Sequence, residues 1–234
     1  MNESATPDPD PNPNLIHIVR HGESQHNIQR GYPHRDPPLT EAGQTATQNI
    51  AIPAIPDLIV ISPMTRTLQT AMNAFPFLRD DSPRTEVQIW PDLREAHDAI
   101  CNIGVSRADL AAKFPHLDFS SCPEEWDHAP TTKEGATARA EHVRRRLKHL
   151  AKTYRNIVLI THRGFIAYLV KGRRFDVCDV RSFRFATNEE AEDEKIRFGL
   201  HCETLEEQDF GPSVLVLHRR VDGVQIVEDL ARLG

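Results

Sequence analysis

The sequence predicts an α/β fold, a three-layer αβα sandwich in which helices cover both faces of a mostly parallel central sheet. Short apolar runs alternate along the chain with segments of helical pattern, which is typical of parallel sheets. The runs at 15–19, 57–61 and 157–161 consist mainly of Leu, Ile and Val, as expected for strands buried on both faces. Each run ends at polar residues or at a Ser-Pro pair.

The other predicted elements follow in chain order. Helices are predicted over 40–51, 64–77, 106–114, 134–152 and 165–170, and short strands over 87–90 and 214–218. Thr40 is suited to cap the first helix, and Pro53 to close it. Apolar residues spaced by three and four positions in 134–152 indicate one buried helix face. Val-Asp-Gly-Val at 221–224 is typical of a hairpin turn.

The length of 234 residues is ordinary for one α/β domain, which is predicted over 15–234. Residues 1–14 are mostly Pro, Asp and Asn and are predicted to form a disordered tail. Residues 187–212 are predicted to be a solvated acidic insertion. Between positions 189 and 209 there are nine acidic residues against two basic ones.

Composition excludes several classes of function. A formal net charge of −6 argues against a dedicated nucleic-acid binder. No apolar run approaches the ~18 residues of a membrane helix, and the first 14 residues do not resemble a secretory signal. The four cysteines are widely spaced without a CxxC pair, which predicts reduced thiols in a cytoplasmic protein. No HExxH or zinc-finger spacing occurs, so neither a metal site nor a cofactor is predicted.

Candidate functional residues stand where the predicted strands end. Strands end at Arg20-His21-Gly22, at Ser62-Pro63 with Arg66 one turn later, and at His162-Arg163-Gly164, and a fourth leads into Leu93-Arg94-Glu95. Ligands of such sheets bind beyond the carboxyl ends of the strands, so these residues are expected to converge.

The first of these turns has the composition of a phosphate site. Gly22 allows a ligand to approach the backbone closely, and Arg20 offers a fixed fork of donors to anionic oxygens. His21 is a nucleophile when its imidazole is unprotonated. Taken alone, the same three residues also fit a structural histidine beside a surface arginine.

The surrounding sequence resembles the histidine phosphatase superfamily, also called the phosphoglycerate mutase-like family. Residues 15–27 read L-I-H-I-V-R-H-G-E-S-x-x-N, similar to that family's signature. Segments 38–43, 62–71, 93–95 and 161–164 resemble its P-L-T-x-x-G, S-P-L-x-R-A-x-Q-T-A, L-x-E and T/S-H-G-G elements in the same order. The resemblance covers about residues 15–170. It implies a phosphoglycerate mutase-like fold with a substrate-side segment at 96–132.

The resemblance also implies roles for the matching residues. His21 would attack phosphorus and become a transient phosphohistidine, and Glu95 would serve as acid and then base, although Asp92 and Asp98 compete for that role. The equatorial oxygens would be bound by Arg20, Arg66 and His162, and the phosphate site would be lined by Asn27.

Three further residues are open to two interpretations. Ser24 and Thr40 either contact phosphate or only cap helices. Arg163 stands where the family has glycine, so it is either strained at a positive φ or adds a positive charge near the substrate. The family's aromatic residue after the first motif is replaced by His26.

The favoured function is a metal-independent phosphatase that hydrolyses a small phosphomonoester, its only predicted partner. A mutase must hold a second anionic group, but residues 96–132 contain six acidic residues against Arg107 and Lys113. A phosphoglycerate mutase or sugar bisphosphatase of the same fold is the alternative, and a catalytically silent phosphate-binding module is a further one. The sequence resembles uncharacterised fungal members of the family, and their substrates do not follow from this sequence.

Overall fold

Four neighbouring parallel strands form the larger part of the sheet. The structure, a computed structural model, describes residues 13–80, 85–126 and 132–218. The parallel strands are β1 (Leu15–Arg20), β2 (Leu58–Ile61), β3 (Glu86–Ile89) and β4 (Asn156–Thr161). Nearly all their residues are buried in β1, β2 and β4, as strands covered on both faces require.

Two antiparallel strands complete the sheet at one edge. β5 (Val180–Phe185) pairs with β1, and β8 (Leu215–Leu217) pairs with β5, which gives the order β3-β2-β4-β1-β5-β8. Sequence analysis assigned no element to β5. Its sequence mixes Arg with apolar residues, and most of its side chains are half-buried, so it lacks the continuous apolar run of the central strands.

The helices are short except for one. Their bounds are α1 Gln25–Ile28, α2 Glu41–Thr47, α3 Thr65–Ala74, α4 Arg107–Lys113, α5 Lys133–Leu150, α6 Arg163–Leu169, α7 Asn188–Glu192 and α8 Glu194–Arg197. Single 3-10 turns occur at Pro76–Arg79, Pro91–Leu93 and Ile100–Asn102. The predicted helices are present, but α2 ends four residues early and α6 starts two residues early.

The sheet separates two hydrophobic cores. Successive residues of a strand point to opposite faces. Leu159 of β4 therefore packs in one core with Val143 of α5, and Val158 packs in the other with Leu68 of α3. The predicted three-layer αβα arrangement is confirmed. Among the described residues, no helix is both long and apolar enough to cross a lipid bilayer.

The strand register brings the ends of β1, β2 and β4 level with each other. Arg20 is opposite Thr161, and Ile61 is opposite Ile160. The ladder continues past the strand ends, since the backbone N–H of His21 donates to the Thr161 carbonyl at 3.1 Å. The residues that follow these strands therefore lie side by side at one edge.

The acidic segment 187–212 has structure of its own. It contains α7, α8 and a hairpin of β6 (Phe198–Leu200) and β7 (Glu207–Asp209). His201 and Phe210 are buried, and the His201 ring lies 4.6 Å from the ring of Tyr168 in α6. Most other residues of the segment are exposed or half-exposed, as expected for a solvated insertion. The sequence did not reveal its contacts with α6, which are made by His201 and by Gln208, whose side chain donates to the Tyr168 carbonyl.

Two predictions concern residues that lie outside the described part of the chain. These are the disordered tail, of which positions 1–12 are not described, and the hairpin turn at 221–224. Asn14 is described, and its side chain donates a hydrogen bond to the Ala151 carbonyl.

A buried arginine ties α5 to α6. Arg144 donates to the Tyr168 carbonyl at 2.7 Å and the Leu169 carbonyl at 3.2 Å, and it pairs with Glu141. Arg145 pairs with the same carboxylate at 3.9 Å, but its side chain is 65% exposed against 1% for Arg144.

We expect Arg144→Met to lower the free energy of unfolding by about 2–4 kcal/mol, because two buried carbonyls and a carboxylate lose their donor. Arg145→Met is the matched control and should cost less than about 0.5 kcal/mol, since exposed ion pairs contribute little. Urea unfolding of both variants measures the difference. Equal losses would contradict the assignment of Arg144 as the link between the helices.

Candidate active site

His21 follows β1 directly and is 2% exposed. Its Nδ1 lies 2.7 Å from the carbonyl oxygen of Gly22. A carbonyl oxygen only accepts hydrogen bonds, so Nδ1 carries the proton and donates it. The neutral ring therefore has its lone pair on Nε2, the nitrogen suited to attack an electrophile.

The surroundings of His21 keep its ring neutral. Burial lowers the pKa of His21 well below its usual value, and the positive charges of Arg66 and Arg20 lower it further. The bond to the Gly22 carbonyl acts in the opposite direction but is a smaller effect. The imidazole is thus unprotonated at neutral pH.

His162 follows β4 and lies beside His21, with 5.2 Å between the ring centroids. Its Nδ1 accepts a hydrogen bond from Arg66 Nε at 3.2 Å, so its Nε2 carries the proton and donates to Ser62 Oγ at 2.8 Å. Both ring nitrogens are therefore engaged by protein groups. The observed role of His162 is to hold Arg66, and its contact with a phosphoryl oxygen stays a prediction.

Arg66 is fully buried in the first turn of α3. Besides His162, its guanidinium donates to the Cys101 carbonyl at 3.1 Å and to Asn102 Oδ1 at 2.9 Å. Asn102 is fixed in turn by donating to the His97 carbonyl at 2.9 Å. These contacts use three of the five N–H bonds of the guanidinium.

Asp36 caps the helix that carries Arg66. Its carboxylate accepts from the backbone N–H of Thr65 at 2.8 Å and from the Thr65 hydroxyl at 2.6 Å. Asp36 has a φ of 44°, a left-handed conformation that Asp tolerates better than most residues. Sequence reasoning missed this cap because Asp36 is 29 residues from the helix start.

Arg20 is buried at the end of β1, where its Nη1 donates to the Phe175 carbonyl at 2.9 Å. Its Nε is buried and has no hydrogen-bond partner among the described residues. Burial and the nearby charge of Arg163 lower the pKa of Arg20 to about 10, so the group stays cationic. An unpaired buried donor costs about 1–3 kcal/mol, which a bound oxyanion would relieve.

Glu95 lies across from His162, at the start of α6. One of its carboxylate oxygens accepts from the Ala96 N–H at 2.7 Å and the other from the Gly164 N–H at 3.1 Å. Arg139 of α5 donates to the carbonyls of Arg94 and Glu95 and lies over the Phe165 ring at 4.1 Å. The Glu95 carboxylate is thus held between the N–H of the next residue and the first turn of α6.

The residues after the first motif form a small network. Ser24 is buried, and its hydroxyl lies 2.6 Å from His26 Nδ1. Asn27 is exposed; its Oδ1 accepts from the Ser24 N–H at 3.0 Å, and its Nδ2 lies 3.2 Å from His26 Nε2. The His26 ring is 5.9 Å from that of His21. Contact of Ser24 or Asn27 with phosphate stays a prediction.

Thr40 caps α2, as the sequence predicts. Its hydroxyl accepts from the Gly43 N–H at 2.9 Å and donates to Glu23 Oε1 at 2.7 Å. Both contacts are internal to the protein, so the capping interpretation is the one observed. Phosphate binding by Thr40 stays a prediction.

Arg163 is the first residue of α6, and its φ is not positive. The strained-backbone interpretation was therefore wrong, because helical geometry here needs no glycine. The side chain lies near the site and forms an ion pair with Glu203 at 2.5 Å. Sequence reasoning missed Glu203, which was included in the acidic segment as one charge among many.

The site as a whole concentrates positive charge and hydrogen-bond donors at one sheet edge. Arg20 and Arg66 flank the two histidines, and one carboxylate, Glu95, stands beside them. Among residues 13–80, 85–126 and 132–218, no cluster of three or more His, Cys, Asp or Glu is arranged to hold a metal ion. Such a site suits binding of a tetrahedral oxyanion.

Gly164 leaves the space that Glu95 fills, because a Cβ there would overlap Glu95 Oε1 and His97 Nδ1. We expect Gly164→Ala to displace these flexible side-chain ends and lower kcat by about 100-fold, with the fold retained. Ala167→Gly, a one-carbon change in the same helix, is the control for stability. Normal turnover by Gly164→Ala would show that Glu95 does not need its present position.

Histidine titration by NMR should distinguish the buried His26 from His97 by their pKa values. Burial lowers the pKa of His26 to about 3, whereas the bond to Glu203 raises that of His97. Since an unfolded histidine has a pKa of ~6.5, the unfolded chain binds more protons as the pH falls. The contribution of neutral His21 and His26 to stability is therefore lost below about pH 6.5. A His21 ring protonated at pH 6 would contradict this electrostatic picture.

Comparison with known proteins finds a relative that is named as a phosphatase. A protein named as a probable phosphatase in Schizosaccharomyces pombe is 32% identical over 117 residues, which are 47% of this chain and 54% of the relative. The chain thus matches about half the length of that curated relative.

Solved structures and a family model agree with this relative. The ecdysone phosphate phosphatase of Bombix mori in complex with tungstate aligns with a TM-score of 0.56 at 16% identity, over 73% of this chain and 89% of that one. The mycobacterial glucosyl-3-phosphoglycerate phosphatase aligns with a TM-score of 0.51 at 21% identity, over 87% and 96%. These likenesses show the fold alone. The model of the histidine phosphatase superfamily (branch 1) matches residues 16–197. The chain therefore belongs to the histidine phosphatase superfamily, branch 1.

Proposed function

We propose that this protein is a phosphatase that hydrolyses a small phosphomonoester through a phosphohistidine on His21, without a metal ion. One observation carries the proposal: the Nδ1–H of His21 is bound to the Gly22 carbonyl, which leaves the Nε2 lone pair beside two buried arginines. The names of the relatives support the class of reaction, since they are phosphatases.

In the first step, the His21 Nε2 lone pair forms a bond to phosphorus while the bond from phosphorus to the ester oxygen breaks. Glu95, in its protonated form, donates a proton to that leaving oxygen, so an alcohol departs. The phosphoryl group is then held as phosphohistidine. Covalent capture divides one difficult displacement into two easier ones.

In the second step, water attacks phosphorus from the side that the alcohol left. Glu95, now a carboxylate, removes a proton from the water, and the bond from phosphorus to Nε2 breaks. Inorganic phosphate departs, while His21 and Glu95 return to their starting protonation states. The bonds from Ala96 and Gly164 hold Glu95 in one place for both proton transfers.

Positive charge supplies the remaining catalysis. Phosphoryl transfer spreads negative charge over three equatorial oxygens, and fixed cations stabilise it. Arg20 contributes its unpartnered Nε, and Arg66 contributes the N–H bonds that its three protein contacts leave. His162 accepts a hydrogen bond from Arg66. It is proposed to contact the phosphoryl group when the Arg66 side chain shifts toward the bound substrate.

Hydrolysis is favoured over mutase activity by the charge of the segment that follows Glu95. Among the described residues 96–126, the Lys and Arg side chains are engaged elsewhere: Arg107 pairs with Glu124, and Lys113 donates to the Thr65 hydroxyl. The segment thus offers few cations for a second anionic group.

All four cysteines are free thiols, which supports the proposed cytoplasmic location.

We expect His21→Ala to lower the hydrolysis of p-nitrophenyl phosphate by at least about 10³-fold, because the nucleophile is lost. The assay contains EDTA throughout, and wild-type activity should persist in it. His116→Ala, at an exposed position, is the matched control and should keep full activity.

Acid quench after mixing with substrate should trap a phosphoenzyme in the wild type and not in His21→Ala. Retained activity of His21→Ala would overturn the mechanism, and a strict metal requirement would overturn the metal-independent form of it. Isomerisation of phosphoglycerates without phosphate release would identify a mutase instead.

A further inference from the structure

The turn that carries Glu203 is fixed against the catalytic domain. His201 Nδ1 accepts from the backbone N–H groups of Glu203 and Thr204 at 3.3 and 3.2 Å, which shapes the turn. On the far side, Gln208 donates to the Tyr168 carbonyl at 3.1 Å. The Glu203 side chain is only 14% exposed, so it points to the protein rather than to solvent.

Glu203 is surrounded by basic groups. Its Oε1 pairs with Arg163 Nε at 2.5 Å and lies 3.9 Å from Arg174 Nε. Its Oε2 lies 3.3 Å from His97 Nε2. These four residues are called the Glu203 cluster below. The pKa of Glu203 is lowered to about 2, chiefly by the bond to His97, so the carboxylate is ionised at neutral pH.

The Glu203 cluster borders the catalytic groups on the side of Glu95. His97 Nδ1 is 4.0 Å from Glu95 Oε1, and both atoms face the space above Gly164. Arg163 directly follows His162, and the charges of Arg163 and Arg174 lower the pKa of Arg20. The cluster is therefore beside the carboxyl group that protonates the leaving group, where the non-phosphoryl part of a substrate would extend.

From these contacts we infer that Glu203 is a specificity-determining residue that selects against substrates with a second anionic group next to the phosphoryl group. Its carboxylate occupies the cations that would otherwise bind a substrate carboxylate or second phosphate. A substrate anion there would meet a fixed negative charge, and Arg163, the cation closest to it, is already paired. The favoured substrates are phosphomonoesters whose leaving group is uncharged near the ester oxygen. The inference rests on the proposed function and narrows its substrate class.

The test compares two substrates that differ in one group. Glycerol 3-phosphate and 3-phosphoglycerate share a three-carbon skeleton, but the second has a carboxylate in place of a hydroxymethyl group. We expect the wild type to favour glycerol 3-phosphate in kcat/KM. Glu203→Gln keeps the shape but removes the charge, and it should raise the ratio of 3-phosphoglycerate to glycerol 3-phosphate by about tenfold.

Two further variants make the comparison specific. Glu206→Gln removes a carboxylate that lies in the same turn but pairs with Lys133, outside the Glu203 cluster. It should leave the ratio of the two kcat/KM values unchanged. Arg163→Gln added to Glu203→Gln should lower the ratio again toward the wild-type value, because the cation closest to Glu203 is then absent. If Glu203 only stabilised the turn, Glu203→Gln would lower both activities equally, and that result overturns the inference.

Failure of this inference is distinguishable from failure of the proposed function. Hydrolysis by the wild type that disappears in His21→Ala supports the function whatever Glu203→Gln does. A binding measurement in the His21→Ala background decides independently of turnover. Calorimetry should show Glu203→Gln gaining about tenfold in affinity for 3-phosphoglycerate relative to glycerol 3-phosphate. No such gain, including no binding of either compound, overturns the inference.

Discussion

The organisation of the site depends on one fully buried guanidinium, that of Arg66. Burial lowers the pKa of Arg66, whereas the negative charges of Asp36 and Glu95 oppose that effect. A charge in the interior is tolerated only when hydrogen bonds and opposite charges compensate for lost hydration. This one group, at the start of α3, is hydrogen-bonded to the end of β4 and to the 3-10 turn Ile100–Asn102.

This requirement explains why distant segments meet. The Cys101 carbonyl and Asn102 are 35 and 36 residues from Arg66, and His162 is 96 residues away. Each supplies an acceptor that the guanidinium needs, and each is itself fixed by neighbouring bonds. Arg139 acts similarly for Glu95, since it binds the carbonyls of the segment that ends at that residue. The side chains of the proposed anion site are thus fixed by protein hydrogen bonds before any ligand binds, as electrostatic catalysis would require.

The sequence predicts the fold, and the place of the candidate site within it, for a physical reason. Parallel strands buried on both faces leave long apolar runs, and the carboxyl ends of these strands lie together, so Arg20, His21 and His162 are expected at one sheet edge. Their proposed roles follow from the family resemblance and not from position alone. β5 leaves no such run and was missed. Supporting residues such as Asp36 and Asn102 belong to no periodic pattern. Their roles depend on tertiary contacts that a single sequence does not display.

The charge pattern of the sequence identifies the acidic segment but not the role of any single residue in it. The acidic segment 187–212 is recognisable from its composition, yet composition does not distinguish Glu203 from its exposed neighbours. Only packing separates them, since the turn is pinned by His201 and Glu203 alone meets Arg163 and His97. The backbone of Arg163 was likewise misjudged, because the family glycine suggested a conformation that the helix start does not use.

The bond between His21 Nδ1 and the Gly22 carbonyl has a consequence for how this protein tolerates mutation. Its acceptor is a main-chain atom of the adjacent residue, so there is no acceptor side chain whose exchange would delete it. Many enzymes fix the tautomer of a reactive histidine with a carboxylate, which one codon change removes. Here the choice of the ring nitrogen that keeps its lone pair is insulated from such a change at the acceptor.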